Sequence, residues 1–125
     1  MQRYLLIAIG GGLGAMLRYF LGATASQRFG IRFPVGTLMV NILACFLIGL
    51  SVEYLNRHAG LNPAWRFLIP VGFIGGFSTF STFEWEAWSD ITSGAFWIGI
   101  LYVAVSLVAG FVAVGVGVAA ARTAR

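Results

Sequence analysis

Four long apolar stretches constrain the fold of this chain more than any other feature of its sequence. They occupy about residues 4–25, 35–55, 64–89 and 95–121, and the segments between them are short and polar. An α-helix rises about 1.5 Å per residue, so about 20 apolar residues cross a hydrocarbon core about 30 Å thick. The pattern predicts an all-α membrane protein with four transmembrane helices in a single integral membrane domain, 1–125.

Composition and charge argue against the main alternatives. Of the 125 residues, 59% are hydrophobic and 10% are charged, which is too little charge to cover a soluble domain. A transmembrane barrel requires segments of about ten residues with alternating polarity, whereas these stretches are continuous. The net charge of +4 comes from arginines scattered at the ends of the stretches, so we expect no nucleic-acid partner.

The first stretch has some features of a cleaved signal peptide. Arg3 precedes it, and Ala23-Thr24-Ala25 resembles a cleavage site. Arg18 interrupts the stretch and three more stretches follow, so we expect a retained helix. Arginines near the ends give only a weak orientation bias, which permits insertion in both directions. One side would carry Arg3, Arg57, Arg66, Arg122 and Arg125, and the other would carry Arg28 and Arg32.

The third stretch contains an unusual segment for a membrane helix. A Gly75-Gly76 pair precedes a duplicated Ser-Thr-Phe unit over 78–83, about 20 Å along the helix from Trp65. Glycine disfavours helix by about 1 kcal/mol relative to alanine, and serine and threonine compete for backbone hydrogen bonds. Non-helical backbone at membrane depth is tolerated only where it is buried inside the protein or lines a cavity. The segment predicts either a break at an ion site or a structural kink.

Several other polar or aromatic side chains are candidates for a transport pathway. Asn41 follows Thr37 by one helical turn, and its amide is a neutral donor suited to an anion. Tyr102 and Ser106 share one face of the fourth span. Phe80 and Phe83 are three residues apart and share a helix face if Phe80 begins the second half of the third span. Their electropositive ring edges can hold a small anion, although phenylalanine is also common in membrane helices without a functional role. Arg18 either attracts anions or extends to the interface.

Small residues at four-residue spacing occur in the first and third spans. Such faces allow helix backbones to approach closely, either between two subunits or within one. The positions are Gly10, Gly14, Arg18 and Gly22 in the first span, and Gly72 and Gly76 in the third. Four short helices barely enclose a pathway, so we expect a dimer if the protein transports an ion.

These motifs resemble those of the Fluc (CrcB) fluoride channels over essentially the whole chain. The run 75–83 resembles their third-helix signature, and Gly36-Thr37-Leu38 with Asn41 resembles their second-helix motif. The segment 11–15 with Arg18 resembles their first helix, and Tyr102 with Ser106 matches the polar track of their fourth. One departure is Gly110, which stands where the family's track often continues with a hydroxyl.

The resemblance implies an antiparallel, dual-topology homodimer in the cell inner membrane, with the third helix broken mid-membrane and two fluoride pores. It implies passive fluoride efflux, which protects a cell in which entering HF ionises and is trapped. The implied partners are fluoride, sodium, membrane lipid and a second copy of the chain.

The resemblance also implies roles for particular residues. Asn41, Phe80 and Phe83 match the family's fluoride-contacting residues, and Ser81 and Thr82 lie at its helix break. The implied fluoride pathway comprises Asn41, Phe80, Phe83, Ser81, Thr82, Tyr102, Ser106, Thr37 and Arg18. Backbone carbonyls of Gly75 and Ser78 match the positions that hold a structural sodium ion at the dimer interface.

An exporter and a membrane scaffold are the alternative functions for a small four-helix membrane protein. A small multidrug-type proton-coupled exporter has similar size and topology, but it requires an acidic residue deep in the membrane. The carboxylates Glu53, Glu84, Glu86 and Asp90 all lie toward the ends of spans. A membrane scaffold would leave the hydroxyl-rich segment unexplained. No nucleophile–base pair or metal-binding set is visible, so we do not expect an enzyme.

Overall fold

The computed structural model describes residues 1–30 and 33–124, which form helices joined by short connections. The helices are α1 (Gln2–Phe29), α2 (Val35–Arg57), α3 (64–77), α4 (Phe80–Thr92) and α5 (Phe96–Thr123). In the described residues, four helical stretches are long and apolar enough to cross a membrane, with α3 and α4 together forming the third. The predicted all-α architecture with four spans is confirmed. Arg32 and Arg125, used to predict orientation, lie outside the described residues.

The helices extend beyond the apolar stretches that predicted them. α1 begins at Gln2 and continues to Phe29, through polar residues that we expected in a connection over 26–33. Hydropathy marks only the apolar part of a helix, whereas backbone hydrogen bonding continues until a residue leaves the helical conformation. Gly30 ends α1 with a φ of 76°, a value that residues with a side chain rarely adopt.

α3 is a composite helix that contains an internal proline. A short α-helical turn, Ala64–Arg66, leads into a π-helical segment, Phe67–Ile74, and α-helical geometry returns over Gly75–Phe77. Pro70 lies within the π-helical segment. Proline lacks the N–H that an α-helix requires, and wider turns are one way in which a helix accommodates it. Gly75 and Gly76 lie in the α-helical turn that follows, so the break expected at this pair occurs instead at residues 78 and 79.

Glycines allow α1 and α3 to pack with their backbones in contact. A Cβ at Gly14 would lie 2.8 Å from the Phe77 amide nitrogen, and one at Gly76 would lie 2.8 Å from the Gly11 Cα. Side chains at these positions would overlap the neighbouring helix. Gly10 and Gly14 of the first span and Gly72 and Gly76 of the third thus pack within one subunit, whereas Gly22 lies against Gly36 of α2.

Two buried clusters place α4 against α5 and α3 against α2. The first consists of Phe83, Ala87 and Tyr102, and the second of Val40, Ala44, Ile74 and Phe77. Many large apolar side chains point outward from the bundle, as expected for a surface covered by lipid or another subunit. The polar contacts described below begin at the connection between α3 and α4 and extend along α4 to Glu86.

Candidate functional site

The helical backbone is interrupted at two residues between α3 and α4. Ser78 has φ −75° and ψ 159°, and Thr79 has φ −149° and ψ 108°, so both are extended. The Ser78 N–H still donates to the Ile74 carbonyl at 3.0 Å, which is the last helical hydrogen bond of α3. The residues that follow need new partners for their backbone groups, because such groups are rarely left unpaired away from water.

Asn41 on α2 supplies those partners to Thr79. Its side-chain amide nitrogen donates to the Thr79 carbonyl at 3.0 Å, and the Thr79 N–H donates to the Asn41 Oδ1 at 2.8 Å. One side chain therefore pairs with both backbone groups of an extended residue. Asn41 was predicted to contact an ion, and the structure adds a second role that its position in the sequence did not indicate.

Arg18 on α1 approaches the same interruption from the other side. Its Nε donates to the Gly76 carbonyl at 3.3 Å. In a continuous helix that carbonyl would accept the N–H of Phe80, which begins α4 instead. The Gly75 carbonyl would likewise accept the Thr79 N–H, which is donated to Asn41. Both predictions for Arg18, attraction of anions and extension to the interface, omitted this backbone contact.

Thr79 also begins α4. Its hydroxyl accepts a hydrogen bond from the Thr82 N–H at 3.3 Å and lies 2.9 Å from the Thr82 hydroxyl. This is the N-cap arrangement that threonine favours at the start of a helix. Ser81 and Thr82 therefore lie in the first turn of α4 rather than in the interruption, which corrects their expected placement at the break. The duplicated Ser-Thr-Phe unit offered two equivalent threonines, and the first of them is the cap.

The two phenylalanines of the motif have contrasting environments. Their ring centroids are 5.8 Å apart on the first turn of α4. Phe83 is 5% exposed and meets Tyr102 edge to face at 5.1 Å, whereas Phe80 is 71% exposed within the single chain. The sequence correctly predicted that the rings share a face, but it gave no reason to expect that only one of them is buried.

Glu86 joins the polar residues of three helices and was not among the predicted site residues. The Thr37 hydroxyl donates to its Oε1 at 2.8 Å, and the Tyr102 hydroxyl donates to its Oε2 at 2.8 Å. By sequence position alone, this carboxylate lies toward the end of the third span. Glu86 follows Phe83 by three residues and so lies on the same face of α4, which was the available signal.

A cleft of about 220 Å³ brings several of these groups together. Its lining includes Arg18, Thr37, Thr79, Thr82 and Glu86. Three of these residues, Arg18, Thr37 and Thr82, were predicted for the pathway, and the cleft places the Arg18 cation and the Glu86 carboxylate in one lining. Phe80, Ser81, Gly75 and Ser78 are exposed at the surface of the chain instead. In the described residues, no group of three or more histidine, cysteine or acidic side chains could hold a metal ion.

The predicted residues of the fourth span have different neighbours: Tyr102 contacts α4, and Gly110 lies against α2. Tyr102 is fully buried and reaches Glu86, as above. The Ser106 hydroxyl is buried and has no hydrogen-bond partner among the described residues. A Cβ at Gly110 would lie 3.3 Å from the Cys45 sulfur, so the thiol of α2 adjoins the place where a hydroxyl was expected.

Comparison with known proteins assigns the family. Residues 5–118 match the family described as CrcB-like protein, Camphor Resistance (CrcB). A fluoride-specific ion channel, FluC, from Solibacter usitatus is 47% identical over 97% of this chain and 99% of its own. FluC from Acidobacterium capsulatum is 47% identical over 93% of each chain, and FluC from Citrifermentans bemidjiense is 44% identical over 98% of each. This integral membrane protein belongs to the CrcB family.

Proposed function

We propose that this chain is a fluoride channel that lets fluoride leave the cell passively and so protects it from fluoride toxicity. The observation that carries the proposal is the interruption at Ser78 and Thr79, followed at once by Phe80 and Phe83 and bordered by the cleft. Membership of the CrcB family and the name shared by its relatives support the same function.

The side chains around the interruption suit a small anion. Removing an anion from water is unfavourable unless donors replace the lost hydration. Asn41 uses one amide hydrogen for the Thr79 carbonyl and retains a second for an ion. Phenylalanine ring edges add a weakly electropositive surface without a fixed charge. The hydroxyls of Thr37 and Tyr102 donate to Glu86, so an anion that uses them competes with this carboxylate.

The proposed assembly is an antiparallel, dual-topology homodimer in the inner membrane, with the interruption at mid-membrane depth. Phe80 supports this assembly. Its ring is 71% exposed in one chain, so a pathway lined by this ring needs a second chain on its open side. Ser78 and Gly75 are exposed as well, so polar backbone close to Phe80 in the chain is left uncovered in a single subunit. Polar backbone facing lipid is unfavourable, and a second subunit would cover it.

We include a structural sodium ion at the dimer interface in this proposal. The Gly75 and Ser78 carbonyls would hold it, two from each subunit. Their chemistry fits, because unwound helix carbonyls are common sodium ligands and Asn41 diverts the Thr79 N–H from the Gly75 oxygen. The ion would neutralise the negative ends of these carbonyl dipoles. Replacing sodium by a bulky organic cation should dissociate the dimer or abolish flux; unchanged dimer and flux would exclude the ion.

Glu86 gives the proton-coupled exporter a specific test. This carboxylate is partly enclosed by α2 and α5, which is nearer to the exporter's requirement than its position in the sequence suggested. Fluoride release from proteoliposomes should proceed at equal rates with and without a proton gradient when the membrane potential is clamped. Release that stops when the proton gradient is collapsed would favour the exporter instead.

A further inference from the structure

The direction of the backbone groups at Thr79 determines what Asn41 can bind. In an extended residue, the N–H and C=O of that residue point to the same side of the chain. In a helical residue they point in opposite directions along the helix axis. A single carboxamide can therefore reach both groups of Thr79 only when Thr79 is extended, as observed at 2.8 and 3.0 Å.

We propose that Asn41 is a positioning residue that holds α3 and α4 apart as two helices. Its hydrogen bonds form with the interrupted backbone and are lost if residues 77–80 close into one continuous helix. They also take the Thr79 N–H away from the Gly75 carbonyl, which would accept it in that continuous helix. Asn41 thus stabilises the interruption and removes a donor from the competing conformation.

Two neighbouring contacts favour the same state. Arg18 donates to the Gly76 carbonyl, which the interruption leaves without the Phe80 N–H. The Thr79 side chain caps α4 through the Thr82 N–H. Neither contact has the two-sided geometry of the Asn41 pair, because each engages one backbone group only. Asn41 is therefore the residue whose loss should most change the conformation of Thr79.

The consequence for transport follows from where α4 begins. With Thr79 extended, α4 starts at Phe80, and this start sets the direction of the Phe80 and Phe83 rings and the reach of Glu86 toward α5. This part of the inference rests on the proposed fluoride channel. It assigns Asn41 an effect on the rings through the backbone, beyond any direct contact with the ion.

The test is solid-state NMR of the full-length protein in lipid, with Thr79 carrying ¹³C at Cα, Cβ and the carbonyl. These shifts distinguish extended from helical backbone and do not depend on fluoride. The variants are Asn41→Ala, which removes both bonds, and Asn41→Asp, which preserves size and acceptor but removes the donor. Ser51→Ala is the matched control, because the Ser51 hydroxyl bonds only to Ile48 of its own helix. Fluoride release is measured on the same samples.

We expect the Thr79 shifts to move away from extended values in Asn41→Ala, less far in Asn41→Asp, and not at all in Ser51→Ala. Fluoride release should fall in the same order. If Asn41→Ala does not fold, the Asp variant decides through the Thr79 carbonyl shift. Wild-type shifts in the folded Asn41 variants would overturn the positioning role while leaving the channel intact. Altered shifts with a wild-type protein that releases no fluoride would instead overturn the channel.

Discussion

The two halves of the third span, α3 and α4, are held in place by different means. α3 lies against α1 through glycines, with backbone against backbone and no room for a Cβ at Gly14 or Gly76. α4 lies against α5 through side chains, including Phe83, Glu86 and Tyr102. α3 is therefore held by the close approach of two helix backbones, whereas α4 is held by aromatic and hydrogen-bonding side chains. The interruption separates these two kinds of packing.

The largest expected effect is on the packing of α3 against α1. Gly14→Ala places a methyl group against the α3 backbone, which no side-chain rotation can relieve, and should lower the free energy of unfolding by about 3 kcal/mol, the upper part of the range for overpacked cores. Gly12→Ala is the matched control, since a Cβ there meets nothing within 4 Å. Thermal unfolding in detergent measures both. Equal unfolding of the two variants would show that the glycine contact does not anchor α3.

The next effect concerns the polar contact between α4 and α5. Tyr102→Phe preserves the ring packed on Phe83 but removes the hydroxyl that donates to Glu86, and should destabilise the protein by about 2 kcal/mol. Tyr54→Phe provides the control at an exposed ring near the end of α2. Denaturant unfolding of both variants checks the difference. A Tyr102→Phe protein as stable as the control would mean that α4 is held by apolar packing alone.

A smaller effect should separate transport from stability on α4. Phe80→Ile preserves bulk and removes the polarised ring edge, so fluoride release should fall by about two- to tenfold, the equivalent of about 0.5–1.5 kcal/mol. Stability should change little, because the ring is exposed within the subunit. Phe83→Ile should reduce both flux and stability. Normal fluoride release from both variants would assign the two rings to packing.

The smallest effect lies outside both halves. Arg122 and Glu53 form an ion pair at 2.8 Å near the ends of α5 and α2, where Arg122 is largely exposed. Exposed pairs contribute little, so Arg122→Gln should change stability by about 0.5 kcal/mol and leave flux unaltered. Unfolding at low and high salt measures the pair. A loss as large as that from Tyr102→Phe would show that the exposed pair with Glu53 stabilises the protein as much as the enclosed contact of Tyr102 with Glu86.

The sequence predicted the parts of this molecule that depend on local composition. Apolar length identified four spans, and three-residue spacing placed Phe80 and Phe83 on one face of a helix. The position of the interruption was harder to predict, because Gly75 and Gly76 are the weakest local helix formers in the segment and are nevertheless helical. At Gly76 the α1 backbone packs directly on the helix, a contact between residues far apart in the sequence that no local pattern indicates.

The missed site residues depend on similar long-range contacts. Thr79 and Thr82 are equivalent in the duplicated motif, whereas in the fold the Asn41 side chain from α2 pairs with the backbone of Thr79. Glu86 lies among tryptophans near the end of a span, a common position for an interfacial carboxylate. Its spacing from Phe83 indicated only a shared face of α4, because its contacts with Thr37 and Tyr102 come from two other helices.

We infer that the interruption and its phenylalanines form a pathway selective for fluoride. The most direct test is to load proteoliposomes with equal concentrations of fluoride and chloride and to follow both anions with selective electrodes after valinomycin opens a path for potassium. We expect rapid fluoride release, while chloride release stays at the level of protein-free vesicles. Chloride release as fast as fluoride release, or no fluoride release, would contradict it.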